Sequence, residues 1–97
     1  MDARRKRTLH WDYIVTRPDG TFDLQAMQEH YRQAVRDEGR FQARELLTLQ
    51  VREAVPMMLP DESPDSCLVQ ARFAINAVLA RCGHPTASLH EIQHCGQ

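Results

Sequence analysis

The sequence predicts a mainly α-helical, compact domain of three to four helices, with a short β-strand or hairpin at its N-terminal end. Three observations support this prediction. Apolar residues recur at helical spacing through three long segments. Glycine and proline lie between these segments, at positions where helices end. Apolar and polar side chains alternate only near the N-terminus, which is the pattern of a strand.

The N-terminal part divides into a basic arm, a strand and a turn. Residues 1–8 contain few apolar side chains, so we expect a basic flexible arm. Residues 9–16 alternate with period two and are rich in aromatic and β-branched side chains, which suit a half-buried strand. Residues 17–20 form an Arg-Pro-Asp-Gly turn, after which Thr21 and Phe22 could be a return strand. Because a lone hairpin is marginal in water, we expect it to pack on helices or pair across a dimer.

Two helices are predicted in the first half of the chain. The first covers residues 24–38, with Asp23 as its N-cap and Gly39 as the residue that ends it. The second covers residues 41–55, and Pro56 limits how far it continues. Its apolar arc is wider than one packing face needs, so we expect it to touch two neighbours.

The third predicted helix, over residues 64–82, is expected to be the central and most buried one. It starts at Ser63, a good cap, and its few polar positions are scattered. Replacing Ile75 by Asp should therefore prevent folding, because an unpaired charge would lie in the core. Gly83 is predicted to end this helix, and a short last helix follows over residues 87–94.

Composition restricts the class of protein. The 97 residues suffice for one modest core, so we expect residues 9–97 to form a single helical domain. No apolar stretch approaches the roughly 20 residues of a membrane span, and no signal-peptide pattern follows the basic start. The odd count of three cysteines favours reduced thiols. We therefore expect a cytoplasmic protein that does not bind membranes.

The densest group of potential metal ligands lies near the C-terminus and comprises Cys82, His84, His90, His94 and Cys95. Cysteine and neutral histidine bind zinc, and a tetrahedral site needs four ligands. Their spacing matches no zinc-binding pattern, and each residue has a simpler role at a helix end or on an exposed face. We also find no nucleophile–base pair and no glycine-rich phosphate loop. We therefore expect no metal, no cofactor and no enzymatic activity.

Surplus apolar and aromatic side chains favour contact with another protein. The candidate contact residues are Trp11, Tyr13, Met57 and Met58. Methionines in a proline-bounded loop can form an adaptable contact patch, although the same two can equally close the core beneath the loop. Our leading hypothesis is a non-enzymatic protein-interaction module that is homodimeric. We expect an adaptor or inhibitor of bacterial, plasmid or phage accessory type. Eleven of the twelve basic residues are arginine, which indicates a GC-rich bacterial or phage coding background and is not a functional signal.

Basic residues support an alternative hypothesis, a small nucleic-acid-binding transcriptional regulator. The candidate contacts are the arm residues Arg4, Arg5, Lys6 and Arg7, and the row Arg32, Arg36, Arg40 and Arg44. On a continuous helix, residues four apart would line one side, although Gly39 interrupts this row. Interleaved acidic residues can also neutralise it, and the formal net charge is only −1. Binding to DNA or RNA therefore stays the second hypothesis.

Overall fold

The structure, a computed structural model, describes residues 13–95 and contains four helices within them. The helices are α1 (Leu24–Glu38), α2 (Arg40–Met58), α3 (Pro64–Arg81) and α4 (Leu89–Gln93). Helices α2 and α3 lie at the centre, since each packs against all three other helices. The predicted mainly helical fold is therefore confirmed. None of these four helices is both long enough and apolar enough to cross a bilayer.

The predicted N-terminal strand or hairpin is not supported, since residues 13–22 form no strand. Their only pairing is an isolated antiparallel bridge between Thr16 and Phe22. The predicted turn is present, with Gly20 at φ +90° and its N–H donating to the Arg17 carbonyl at 2.9 Å. The apolar side chains of this segment pack on the helical core instead, and a single bridge without further strands in residues 13–95 is too small to form a stable sheet. The arm over residues 1–8 and the first strand residues, 9–12, lie outside the described part of the chain.

The helix ends follow the predicted caps. The Asp23 carboxylate accepts the Ala26 N–H at 3.1 Å, and Gly39 at φ +96° separates α1 from α2. Ser63 caps α3 by accepting the Ser66 N–H at 3.1 Å. After α3, Gly83 adopts φ +75°, and the last turn is closed by hydrogen bonds from the N–H groups of residues 83 and 84.

Helix α2 is longer than predicted and runs on past Pro56. Proline removes one N–H from the last turn, yet the next bonds form, since Leu59 N–H donates to the Val55 carbonyl at 2.9 Å. Most of the wide apolar arc of α2 is buried within the chain, through Leu47, Val51, Ala54 and Val55, whereas Leu46 and Leu49 are partly exposed. Its contacts with α1, α3 and α4 account for this arc without a second copy.

The core lies between α1, α2 and α3. Ile75 of α3 has no exposed surface, as predicted. Tyr31 and Met27 of α1 are also fully buried. Helix α3 is central but is not enclosed on all sides as expected, because its residues Val69 and Phe73 are exposed. This open face of α3 positions the candidate site.

Candidate protein-interaction surface

An open groove of about 470 Å³ runs along α3, and we call it the α3 groove. Helix α3 forms one wall, and the turn before α1, the first residue of α1 and the C-terminal end of α2 form the other. Its main lining residues are Phe22, Leu24, Met58, Leu59, Phe73 and Ala77. None of the described residues that line it is titratable. The described part of the groove can therefore bind a ligand by burying apolar surface.

The turn before α1 shapes the far wall of the groove. The Asp19 carboxylate accepts hydrogen bonds from the Thr21 N–H at 3.0 Å and from the Thr21 hydroxyl at 2.6 Å. The Thr21 hydroxyl bond is the main cause that lowers the pKa of Asp19. This turn reverses the chain and places Phe22 beside Leu24, where both partly buried side chains pack on the core.

Exposed apolar side chains flank the α3 groove. Phe73 is 73% exposed and Val69 is 43% exposed, both on α3. Across the groove, Leu59 is 37% exposed. Burying a large apolar side chain is worth about 1.5–3 kcal/mol, so a molecule that covers these side chains gains binding free energy. Such clusters on a monomer mark contact sites for other molecules.

The predicted partner residues are placed differently from one another. Met58 is half-buried in the wall of the groove, whereas Met57 is exposed but is not one of the described lining residues. Tyr13 is only 2% exposed, and its ring lies 6.4 Å from that of Tyr31, so it belongs to the core and not to an exposed contact patch. Trp11 lies outside the described residues. Of the predicted contacts that the structure describes, only Met58 therefore lines the groove.

Sequence reasoning missed Phe73 as a surface residue. The sequence places it on a second apolar stripe of a helix that is apolar on most sides. The polar residues Gln70 and Arg72 lie close to it in the chain and are exposed in the structure, but they are too few to separate the solvent side of this helix from its core side by sequence.

Part of the arginine row is engaged within the fold. The Arg44 guanidinium donates to the carbonyls of Pro85 and Thr86 at 3.1 and 2.9 Å and pairs with the Glu91 carboxylate. Each partner stabilises the charge of the other, which raises the pKa of Arg44 and lowers the pKa of Glu91. Arg44 therefore fastens the segment before α4 to α2 and is not free to bind nucleic acid.

The other three arginines of the row remain on the surface. Arg32, Arg36 and Arg40 are exposed, and none takes part in an ion pair within residues 13–95. Gly39, at φ +96°, places Arg40 on a different helix from the first two. The row is thus interrupted, and the basic arm residues Arg4, Arg5, Lys6 and Arg7 lie outside the described residues.

The considered metal ligands are not brought together. Within residues 13–95, no group of three or more His, Cys, Asp or Glu side chains has the geometry to hold a metal ion. His84 Nδ1 lies 2.8 Å from the Tyr31 hydroxyl. His90 and His94 lie ring to ring at 4.4 Å on the surface, and the Cys95 thiol donates to the Glu45 carbonyl.

The Tyr31–His84 pair ties the loop after α3 to α1. Burial raises the pKa of Tyr31 to about 12, so its hydroxyl keeps the proton in the hydrogen bond with His84. Burial is also the first cause that lowers the pKa of His84, followed by the positive charges of Arg40 and Arg44. A neutral imidazole has one donor nitrogen and one acceptor nitrogen, and the tautomer decides which of the two groups donates; in either case the pair is a structural link at neutral pH.

Comparison of the chain with protein-family models, curated proteins and solved structures finds no match.

Proposed function

We propose that the chain is a non-enzymatic protein-interaction module, an adaptor or inhibitor of bacterial, plasmid or phage accessory type. It acts by docking an apolar helix of another protein chain into the α3 groove, the helix-in-groove mode of recognition. The observation that carries this proposal is the 73% exposed side chain of Phe73 beside that groove. A buried aromatic anchor is the commonest source of binding energy at protein interfaces.

The chemistry of the groove supports binding over catalysis. General acid–base and nucleophilic catalysis need titratable or activated side chains at the reacting atoms. The described lining residues include only two polar side chains, Thr21 and Gln70. The Thr21 hydroxyl is already bonded to Asp19. What the groove supplies is apolar surface that a partner can cover.

A photo-crosslinking amino acid placed at position 73 tests this proposal in the host cell. The matched control carries the same amino acid at position 41, because Phe41 is 81% exposed but lies on α2 away from the groove. We expect an adduct from position 73 whose partner is identified by mass spectrometry, and none of that species from position 41. The Ala77→Phe variant, which fills the groove, should abolish it. No adduct at position 73, or an equal yield from position 41 or in Ala77→Phe, would contradict the proposal.

A nucleic-acid-binding regulator is the second candidate, and the exposed Arg32, Arg36 and Arg40 favour it. Its test is the mobility of duplex DNA at two salt concentrations with the wild-type chain and with the Arg36→Ala, Arg40→Ala double variant. Binding that falls steeply with salt and weakens in the double variant would favour the regulator, because neutralised phosphates release counterions. Absence of binding at low salt would leave the interaction module as the supported function.

A further inference from the structure

We infer that the helix occupying the α3 groove is α3 of a second copy of this chain, which gives a two-fold symmetric, antiparallel dimer. This inference rests on the proposed function and names the partner of the same surface. It is carried by the pattern of apolar and charged side chains along the open face of α3.

Five residues of α3 are spaced four apart, and we call them the α3 ridge: Asp65, Val69, Phe73, Ala77 and Arg81. Side chains at this spacing form one oblique row on a helix. Four of the five are exposed, and the small Ala77 is half-buried in the wall of the groove. The core takes the opposite side of α3, through Ile75 and its neighbours. The ridge is therefore not needed to build the monomer.

The order of side chains in the ridge is self-complementary. Phe73 is the midpoint, with an acidic residue at one end and a basic residue at the other end. In an antiparallel pair centred on Phe73, Asp65 of each copy faces Arg81 of the other. Val69 then faces Ala77, and the two Phe73 side chains meet at the axis. A parallel pair would bring like charges together, so the charges select the antiparallel arrangement.

Helix geometry allows this pairing. Packing of rows four apart against each other is the commonest helix–helix class in globular proteins, with a crossing angle of about 50°. Ala77 lines the groove together with Phe73, and its small side chain leaves space for the Val69 side chain that faces it in this register. Asp65 and Arg81 form no ion pair within residues 13–95, so both charges are available to a second copy.

Each charge also suits its own helix end, since Asp65 lies in the first turn and Arg81 in the last. That effect stabilises the monomer alone and does not depend on concentration. The test must therefore separate effects on folding from effects on association.

Sedimentation over a wide range of concentrations measures association directly. We expect the wild-type mass to rise from 11.2 kDa to twice that value as concentration increases. Phe73→Gln should raise the dimer dissociation constant by about 100-fold or more, because each of the two copies loses a buried aromatic anchor. Phe41→Gln is the matched control and should leave the constant unchanged, since Phe41 lies outside the groove.

Charge reversal tests the antiparallel arrangement. Asp65→Arg alone and Arg81→Asp alone should each weaken the homodimer about tenfold, because each creates two like-charge pairs. A mixture of the two single variants should form a heterodimer, since opposite charges then face each other at both ends. The double variant should regain wild-type association although its melting temperature falls, because both charges then oppose the helix dipole.

A monomer at every concentration overturns the second copy as occupant, as does a dimer that Phe73→Gln leaves intact. A mixture with no preference for the heterodimer overturns the antiparallel pairing. If the chain is monomeric and position 73 still crosslinks to a different protein, the proposed function holds and only this inference fails.

Discussion

Replacing Asn76 by Asp removes one hydrogen-bond donor from the link between α3 and the segment before α4. The Asn76 amide nitrogen donates to the Ala87 carbonyl at 3.0 Å, and its oxygen accepts the Ala87 N–H at 2.7 Å. Ala87 is only 2% exposed, so water cannot easily replace either bond. An aspartate can still accept the N–H, but its second oxygen faces the Ala87 carbonyl.

The expected cost follows from these contacts. A lost hydrogen bond costs about 0.5–1.5 kcal/mol, and a buried acceptor left unsatisfied costs about 1–3 kcal/mol. We expect Asn76→Asp to lower the free energy of unfolding by about 2–3 kcal/mol at neutral pH, and the melting temperature by roughly 10–20 °C in a domain of this size. Protonation of the new carboxyl group restores a donor, so the deficit should shrink at acidic pH.

Urea denaturation at neutral and acidic pH measures both effects relative to the wild type. Gln42→Glu is the control, because it makes the same amide-to-acid change at an exposed helical position outside the groove. A loss below about 0.5 kcal/mol for Asn76→Asp at neutral pH, the usual size of surface effects, would refute this account of the link. A deficit that does not change with pH would refute the role assigned to the donor.

Four further predictions concern the core and the two polar links. Ile75→Asp should abolish the cooperative melting transition followed by circular dichroism, because Ile75 has no exposed surface; a normal transition would contradict its place in the core. Stability should fall as the pH drops below about 6.5. In the unfolded chain His84 takes up a proton there, whereas in the folded chain its pKa is lowered and it stays neutral. His84→Gln should therefore flatten this part of the profile of stability against pH. At the alkaline end, burial raises the pKa of Tyr31 to about 12 in the folded chain, so the contribution of its hydroxyl to stability should be lost as the pH rises from about 10 to about 12. Tyr31→Phe should make the fall in this interval smaller, and an unchanged fall would contradict the burial of this hydroxyl. Arg44→Ala should lower the free energy of unfolding by about 1–2 kcal/mol, which is more than Glu91→Gln, because the guanidinium also donates to two carbonyls. Equal losses of the two variants in chemical denaturation would show that the ion pair alone matters.

Local chemistry explains why the helices were predictable. Asp23 and Ser63 cap through atoms only three residues away, and Gly39 and Gly83 end helices through their own backbone conformation. These signals act within one turn, so they can be read without knowing the fold. The helix end predicted near Pro56 also came from a local signal, but it was wrong. A proline in the last turn removes a single hydrogen bond, and the neighbouring packing tolerates this loss.

The long-range links lay beyond prediction, because their partners are far apart in the chain. The Tyr31 and His84 side chains are separated by 53 residues, and Arg44 and Glu91 by 47. Nothing in the spacing of either pair indicates that the two would meet. As a result Arg44 looked free to bind nucleic acid, and His84 was weighed as a metal ligand.

Residue type and spacing alone established the helical class, the order of the helices and most of their ends, because backbone preference and capping are local. Packing decided which apolar side chains are buried. Helix α3 is apolar on most sides, so periodicity could not tell that Ile75 faces the core while Phe73 faces solvent. Tyr13 likewise became a core residue because α1 and α2 enclose it. The candidate surface exists because the neighbouring helices cover only one side of α3.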